Sequence, residues 1–140
     1  MKNTNKDCIF CKIIKGEVPS TKVYEDSKVY AFLDIGPVNK GHTLVIPKGH
    51  YKTMMDVPDD VLKDVIIVVK RVSQALIDAV GAKGTNVGIN NHEAAGQAVF
   101  HAHFHVMPRK EDDGLTLWPQ GKYQHDEEMQ EYAEKIKSRL

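Results

Sequence analysis

His101-Ala102-His103-Phe104-His105-Val106-Met107-Pro108 is the stretch that decides how the chain is read. Imidazoles alternate with Ala, Phe and Val, the period of a β-strand with one polar and one apolar face. The pattern predicts a strand ended by Pro108. Ala102, Phe104 and Val106 face a core, and all three imidazoles face the other way. Set about 6.6 Å apart, they line a strip about 13 Å long. The chain has only 7 His in 140 residues, so three on one short segment is a marked concentration. A solvated strand face is the plainer reading, but Ser, Thr or Lys would serve solubility as well. Imidazole alone among them ligates metals, shuttles protons and attacks phosphorus at neutral pH.

The segments around this run predict its partners. Lys22–Glu25 and Val29–Leu33 are strand-like and joined by a turn at Asp26-Ser27-Lys28. Thr43–Pro47 reads as a buried strand, and residues 85–90 as a further one. Residues 8–14 form a compact apolar segment of one or two helical turns, and residues 3–7 a loose end. One long helix is predicted over 58–80, with Val61, Val65, Val68, Val69, Val72, Leu76 and Ala79 on one face. Asp59 and Asp60 suit its N-terminus, and Gly81 supplies the stop. Residues 125–140 read as an amphipathic helix capped by His125. Met129, Tyr132, Ala133, Ile136 and Leu140 form its apolar stripe, expected to pack on the helix's own domain. The whole is an α+β fold: an antiparallel sheet of about five strands, one long helix on it and a C-terminal helix.

Size and composition bound the function. A chain of 140 residues with 41% hydrophobic and 27% charged residues predicts one globular domain over 1–140. Its motif core spans 8–118 and a C-terminal extension 119–140. Lys+Arg and Asp+Glu are both 19, so no global field favours nucleic acid or an anionic membrane. The longest apolar run, residues 65–69, is too short to span a bilayer, and the polar start lacks a signal-peptide core. The cytoplasm is the expected compartment. The two cysteines, Cys8 and Cys11, are spaced C-x-x-C. No strand precedes them as a redox motif requires, so half of a zinc site is the better physical reading.

These residues resemble the histidine-triad (HIT) superfamily. The triad run, Cys8-Ile9-Phe10-Cys11-Lys12-Ile13-Ile14, Ala31-Phe32-Leu33-Asp34-Ile35, His42-Thr43-Leu44-Val45-Ile46-Pro47-Lys48-Gly49-His50 and Gly96-Gln97 follow in the family's order. The branch that looks nearest is the Hint-type purine nucleoside phosphoramidases in their zinc-binding bacterial form. The resemblance implies hydrolysis or transfer at the α-phosphorus of a purine nucleotide by a two-fold homodimer. His103 would be the nucleophile, and His105 would hold a non-bridging phosphate oxygen. Asn90 and Gln97 would be amide donors to phosphate, with Gly96 admitting close backbone approach. Asp34 would accept from ribose hydroxyls, although as a residue it serves equally as a turn-former before Gly36. Ala98 stands where many relatives carry a phosphate-binding hydroxyl. Cys8, Cys11, His50 and His101 would complete a structural Zn²⁺ site; without metal, His50 and His101 would simply hydrogen-bond neighbours. His42 reads as structural, His92 as a solvated loop residue, and Trp118 either stacks on a ligand or anchors the tail. A dinucleoside polyphosphate hydrolase and a zinc-stabilised nucleotide-binding scaffold are the rival readings.

Overall fold

A computed structural model describes residues 3–140. Five antiparallel strands form one sheet: β1 (Lys22–Glu25), β2 (Val29–Leu33), β3 (Thr43–Pro47), β4 (Gly84–Gly88) and β5 (Phe104–Arg109). Their spatial order is β1-β2-β3-β5-β4, so β5 lies inside the sheet and β4 is an edge. Strands β2 and β3 are buried on both faces, which explains their unbroken apolar sequences.

Two helices divide those faces. The long helix α2 (Asp59–Val80) lays Val65, Val68, Val69 and Leu76 against Val29, Ala31, Val45, Phe104 and Val106. Left-handed Gly81 (φ 79°) ends it, and the Ala82 N–H returns to Leu76 O at 3.2 Å. On the opposite face the short helix α1 (Ile9–Ile14) sets Phe10 and Ile13 against Tyr30, Phe32, Leu44 and Ile46. Leu44 pairs with His105, so the imidazole of His105 rises on this second face. Fully burying an aliphatic side chain contributes about 1.5–3 kcal/mol, and the two clusters lock β2 and β3 between them.

The structure corrects several expectations. The strand begins at Phe104, so His101, at a bend, and His103 lie in a lead-in and only His105 belongs to the ladder. One cause is local: Pro47 O at the end of β3 accepts from the His101 ring at 2.8 Å. Pro108 does not end the strand. There β5 has outrun β3 and pairs with β4 alone, where a missing ladder N–H is tolerated. Ala79 is exposed, unlike the rest of its predicted stripe. Asn3 is tied to the main chain of His50 through its backbone and its side-chain amide, so the start of the described chain is not loose.

The C-terminal helix α3 (Asp126–Lys137) forms but buries no side chain, against the expectation that its stripe packs on its own domain. Local electrostatics hold it. His125 Nδ1 caps it by accepting from Glu128 N–H at 3.1 Å, acidic residues crowd the first turn, and Lys135 and Lys137 close the last. The arm leading to it leaves from a fixed base: Arg109 grips both oxygens of Asp113 at 2.7 and 2.9 Å and reaches Asn86 of β4 at 2.6 Å. Trp118 on that arm is 76% exposed, so it neither stacks nor anchors within the described chain.

Candidate active site and metal centre

A cavity of about 490 Å³ opens on the α1 face of the sheet. Ile9, Phe10, Ile13, Val18, Phe32 and Leu44 make an apolar slot, and His103, His105, Asp34 and Asn90 supply the polar end. Gly96 and Ala98 bring main chain to the same end. Gly96 has φ +94°, a conformation that disfavours any side chain, and an added Cβ there would lie 3.5 Å from Asn90 Nδ2. Flat apolar walls with a few converging polar groups suit a heteroaromatic ligand with a polar tail.

Neighbours that can only donate or only accept fix the proton on each ring. His103 Nδ1 lies 2.7 Å from His101 O; a carbonyl only accepts, so Nδ1 carries the hydrogen and Nε2 keeps its lone pair. Val38 N–H donates to His42 Nδ1 at 3.2 Å, which leaves the His42 proton on Nε2. That N–H donates to His105 Nδ1 at 2.9 Å, so His105 carries its own proton on Nε2. One ring in the cavity is therefore an acceptor or nucleophile, and its neighbour, 5.0 Å away between centroids, is a donor. Burial pushes the pKa of His103 down; burial and the flanking imidazoles push His105 down to about 4. Both rings are neutral near pH 7, as these roles require.

His42, read from the sequence as structural, is hydrogen-bonded to His105 at the edge of the cavity. It is buried, and its Nε2 sits 3.7 Å from Asp34 Oδ2 as well as on His105. Its signal was available: His42 shares the period-2 phase of Leu44, which faces His105. Asp34, His42 and His105 also lie close enough to enclose a cation. Nδ1 of a neutral His42 is already an acceptor, so Nε2 has no lone pair to give; the hydrogen bonds run from Val38 through His42 to His105, and Asp34 lies beside them. Asp34 serves as the expected turn-former: Oδ1 accepts from Gly36 N–H at 2.8 Å, and Oδ2 faces His42. Gln97 does not reach the cavity; its amide is spent on backbone groups behind the loop. His92 is exposed, as expected of a loop residue.

Cys8, Cys11, His50 and His101 come together at the base of the lead-in. His101 Nε2–H donates to Pro47 O, which turns its Nδ1 lone pair toward Cys8 Sγ at 3.5 Å and Cys11 Sγ at 3.6 Å. His50 Nδ1 is 3.5 Å from Cys11 Sγ. Tetrahedral Zn²⁺ with ordinary Zn–S and Zn–N bonds sets these edges at about 3.6 Å. Asn5 N–H and Cys11 N–H point at Cys11 and Cys8 sulfur, each at 3.5 Å, the support that a thiolate ligand needs. Burial and the neighbouring Cys8 raise the Cys11 pKa, so a second charge of opposite sign is what would make a thiolate pair stable here. The donor set fits zinc.

A profile of the HIT domain matches residues 15–112. The adenosine 5'-monophosphoramidase of Candida albicans is 44% identical over 122 residues, covering 83% of this chain and 80% of that protein. The crystal structure of a Streptococcus mutans protein superposes with a TM-score of 0.92 at 40% identity, covering 99% of this chain and 88% of that one. A zinc-bound histidine triad family protein from Mycobacterium smegmatis matches with a TM-score of 0.76 at 34% identity, covering 96% and 98%. The chain belongs to the HIT family. Its Cys₂His₂ cluster is the arrangement expected of the family's zinc-binding type.

Proposed function

We propose that the protein hydrolyses purine nucleoside 5'-phosphoramidates through a nucleotidyl-histidine on His103. The observation that carries this reading is the fixed tautomer pair: a lone pair on His103 Nε2 beside an N–H on His105 Nε2, both at the polar end of an apolar slot. The relative named adenosine 5'-monophosphoramidase supports the substrate class.

The purine would lie in the slot walled by Phe10, Ile13 and Phe32, with the ribose toward Asp34 Oδ2. His103 Nε2 attacks the α-phosphorus, and the P–N bond breaks as the leaving amine takes up a proton from solvent. The ring becomes cationic, and its Nδ1–H against His101 O bears that charge. His105 Nε2–H, Asn90 and the backbone at Gly96 and Ala98 hold the non-bridging oxygens as negative charge grows on them. Water then attacks phosphorus, its proton passes to solvent, and cleavage of the bond from phosphorus to Nε2 returns His103 as neutral imidazole. Cys8, Cys11, His50 and His101 would hold Zn²⁺ as a closed structural ion, clamping the N-terminal segment to the lead-in.

We further infer a two-fold homodimer. The edge strand β4 has no proline, lysine or bulge to block pairing, and the arm exposing Leu117 and Trp118 leaves beside it. The substrate class is tested by comparing turnover of adenosine 5'-phosphoramidate with that of diadenosine polyphosphates. Preference for the phosphoramidate, lost in His103→Ala, is expected. Preference for the polyphosphates transfers the protein to the rival hydrolase class, and AMP binding with no turnover above His103→Ala makes it a scaffold.

A further inference from the structure

Gln97 is only 4% exposed, yet every polar atom of its side chain is used. Oε1 accepts from His92 N–H at 2.8 Å, while Nε2 donates to Lys52 O at 2.6 Å and to Val99 O at 3.0 Å. The backbone N–H of Gln97 returns to His92 O at 3.1 Å. His92 and Gln97 are thus tied at two points, closing a loop around the 3₁₀ turn Glu93–Ala95. The backbone of His92 has φ 72°, the one positive value on a non-glycine residue among those described. Such a conformation persists only where its surroundings hold it, and here the Gln97 carboxamide does.

The other two bonds reach what the loop must be aligned with. Lys52 belongs to a segment whose neighbours are also engaged: Tyr51 O accepts from Ala102 N–H at 2.7 Å, and Met54 N–H donates to Asn91 Oδ1 at 2.8 Å. Residues 51–54 are a rail. The cavity-lining loop and the lead-in carrying His103 are both fastened to it, and among the described residues Gln97 is the one side chain that bonds the rail at Lys52, the loop at His92 and the start of the lead-in at Val99.

We propose that Gln97 is a positioning residue for the nucleotidyl transfer inferred above, on which this proposal rests. It does not line the cavity, and its polar side-chain atoms are all spent on backbone groups. It holds the Gly96–Ala98 backbone and His103 in one frame, so that the groups binding phosphate and the group attacking phosphorus converge on the same atom. Gln97→Glu keeps size but turns lone pairs toward Lys52 O and Val99 O; Gln97→Met keeps length and removes all three bonds.

The test uses full-length, zinc-loaded protein, adenosine 5'-phosphoramidate and rapid quenching below each variant's melting temperature. Adduct formation on His103 is expected to slow by about ten- to a hundredfold in both variants, while AMP affinity changes by less than about threefold. A Gln97 that merely supports the fold would lower the melting temperature and leave the adduct rate alone; wild-type rates in both folded variants overturn the proposal. No adduct on the wild-type protein overturns the function itself, and the Gln97 role falls with it. If neither variant folds, amide exchange in the wild-type protein decides. Protection of His92 and Ala102 upholds the fastening, and exchange at free-loop rates overturns it.

Discussion

His105 is useful only as a donor, and its donor state is imposed from two residues away by Val38 N–H acting through His42. His42→Ala frees the His105 ring to adopt either tautomer. Turnover should fall by about tenfold or more with AMP affinity nearly unchanged, and an unchanged kcat would refute the relay. The low pKa of His105, about 4 against 6.5 for a free ring, has a signed consequence. Between those values the unfolded chain binds the proton and the folded one does not, so stability is full above pH 6.5 and falls as pH drops toward 4. NMR titration of His105 and melting curves over that range check it; a midpoint near 6.5 would contradict the assigned environment. The triad was legible because alternation is a strong signal, and Cys8 and Cys11 because their spacing is. For His42 only the face was legible, and for Gln97 not even that, because a sequence does not say which lone pair meets which N–H.

At the level of elements, α1 and the lead-in are short and weak alone, and four side chains bring them together. Helix α1 has six residues, too few to be stable in isolation. Cys8 caps it, Cys11 anchors it, and His101 fastens it to the segment bearing His103. Cys8→Ser should therefore lower the melting temperature by several degrees and release zinc, with a smaller change in AMP affinity. An unchanged melting temperature at full zinc content would refute the clamp. Helix α2 followed from periodicity, and β2 and β3 from their apolar runs, since each of them meets the core. The start of β5 did not, because the competitor for Pro47 O is a side chain, His101, and alternation cannot reveal it.

For the whole molecule the unburied feature is the C-terminal arm. A helix whose Met129, Tyr132 and Ile136 are all exposed gains nothing from its own domain. Its stripe was legible as a sequence pattern; what it packs against was not, because amphipathicity names a face and no partner. Sedimentation should give two chains per particle, and removal of residues 115–140 should weaken the association while leaving zinc content intact. A wild-type monomer at micromolar concentration would contradict the two-fold assembly. No described helix is long and apolar enough to cross a membrane.

The most direct measurement is the mass of the protein quenched within one turnover of adenosine 5'-phosphoramidate. An increment of one adenylyl group, mapped to His103 and absent from His103→Ala, is the expected result. Product formation with no such adduct at any time, or an adduct on another residue, would contradict covalent catalysis by the central imidazole.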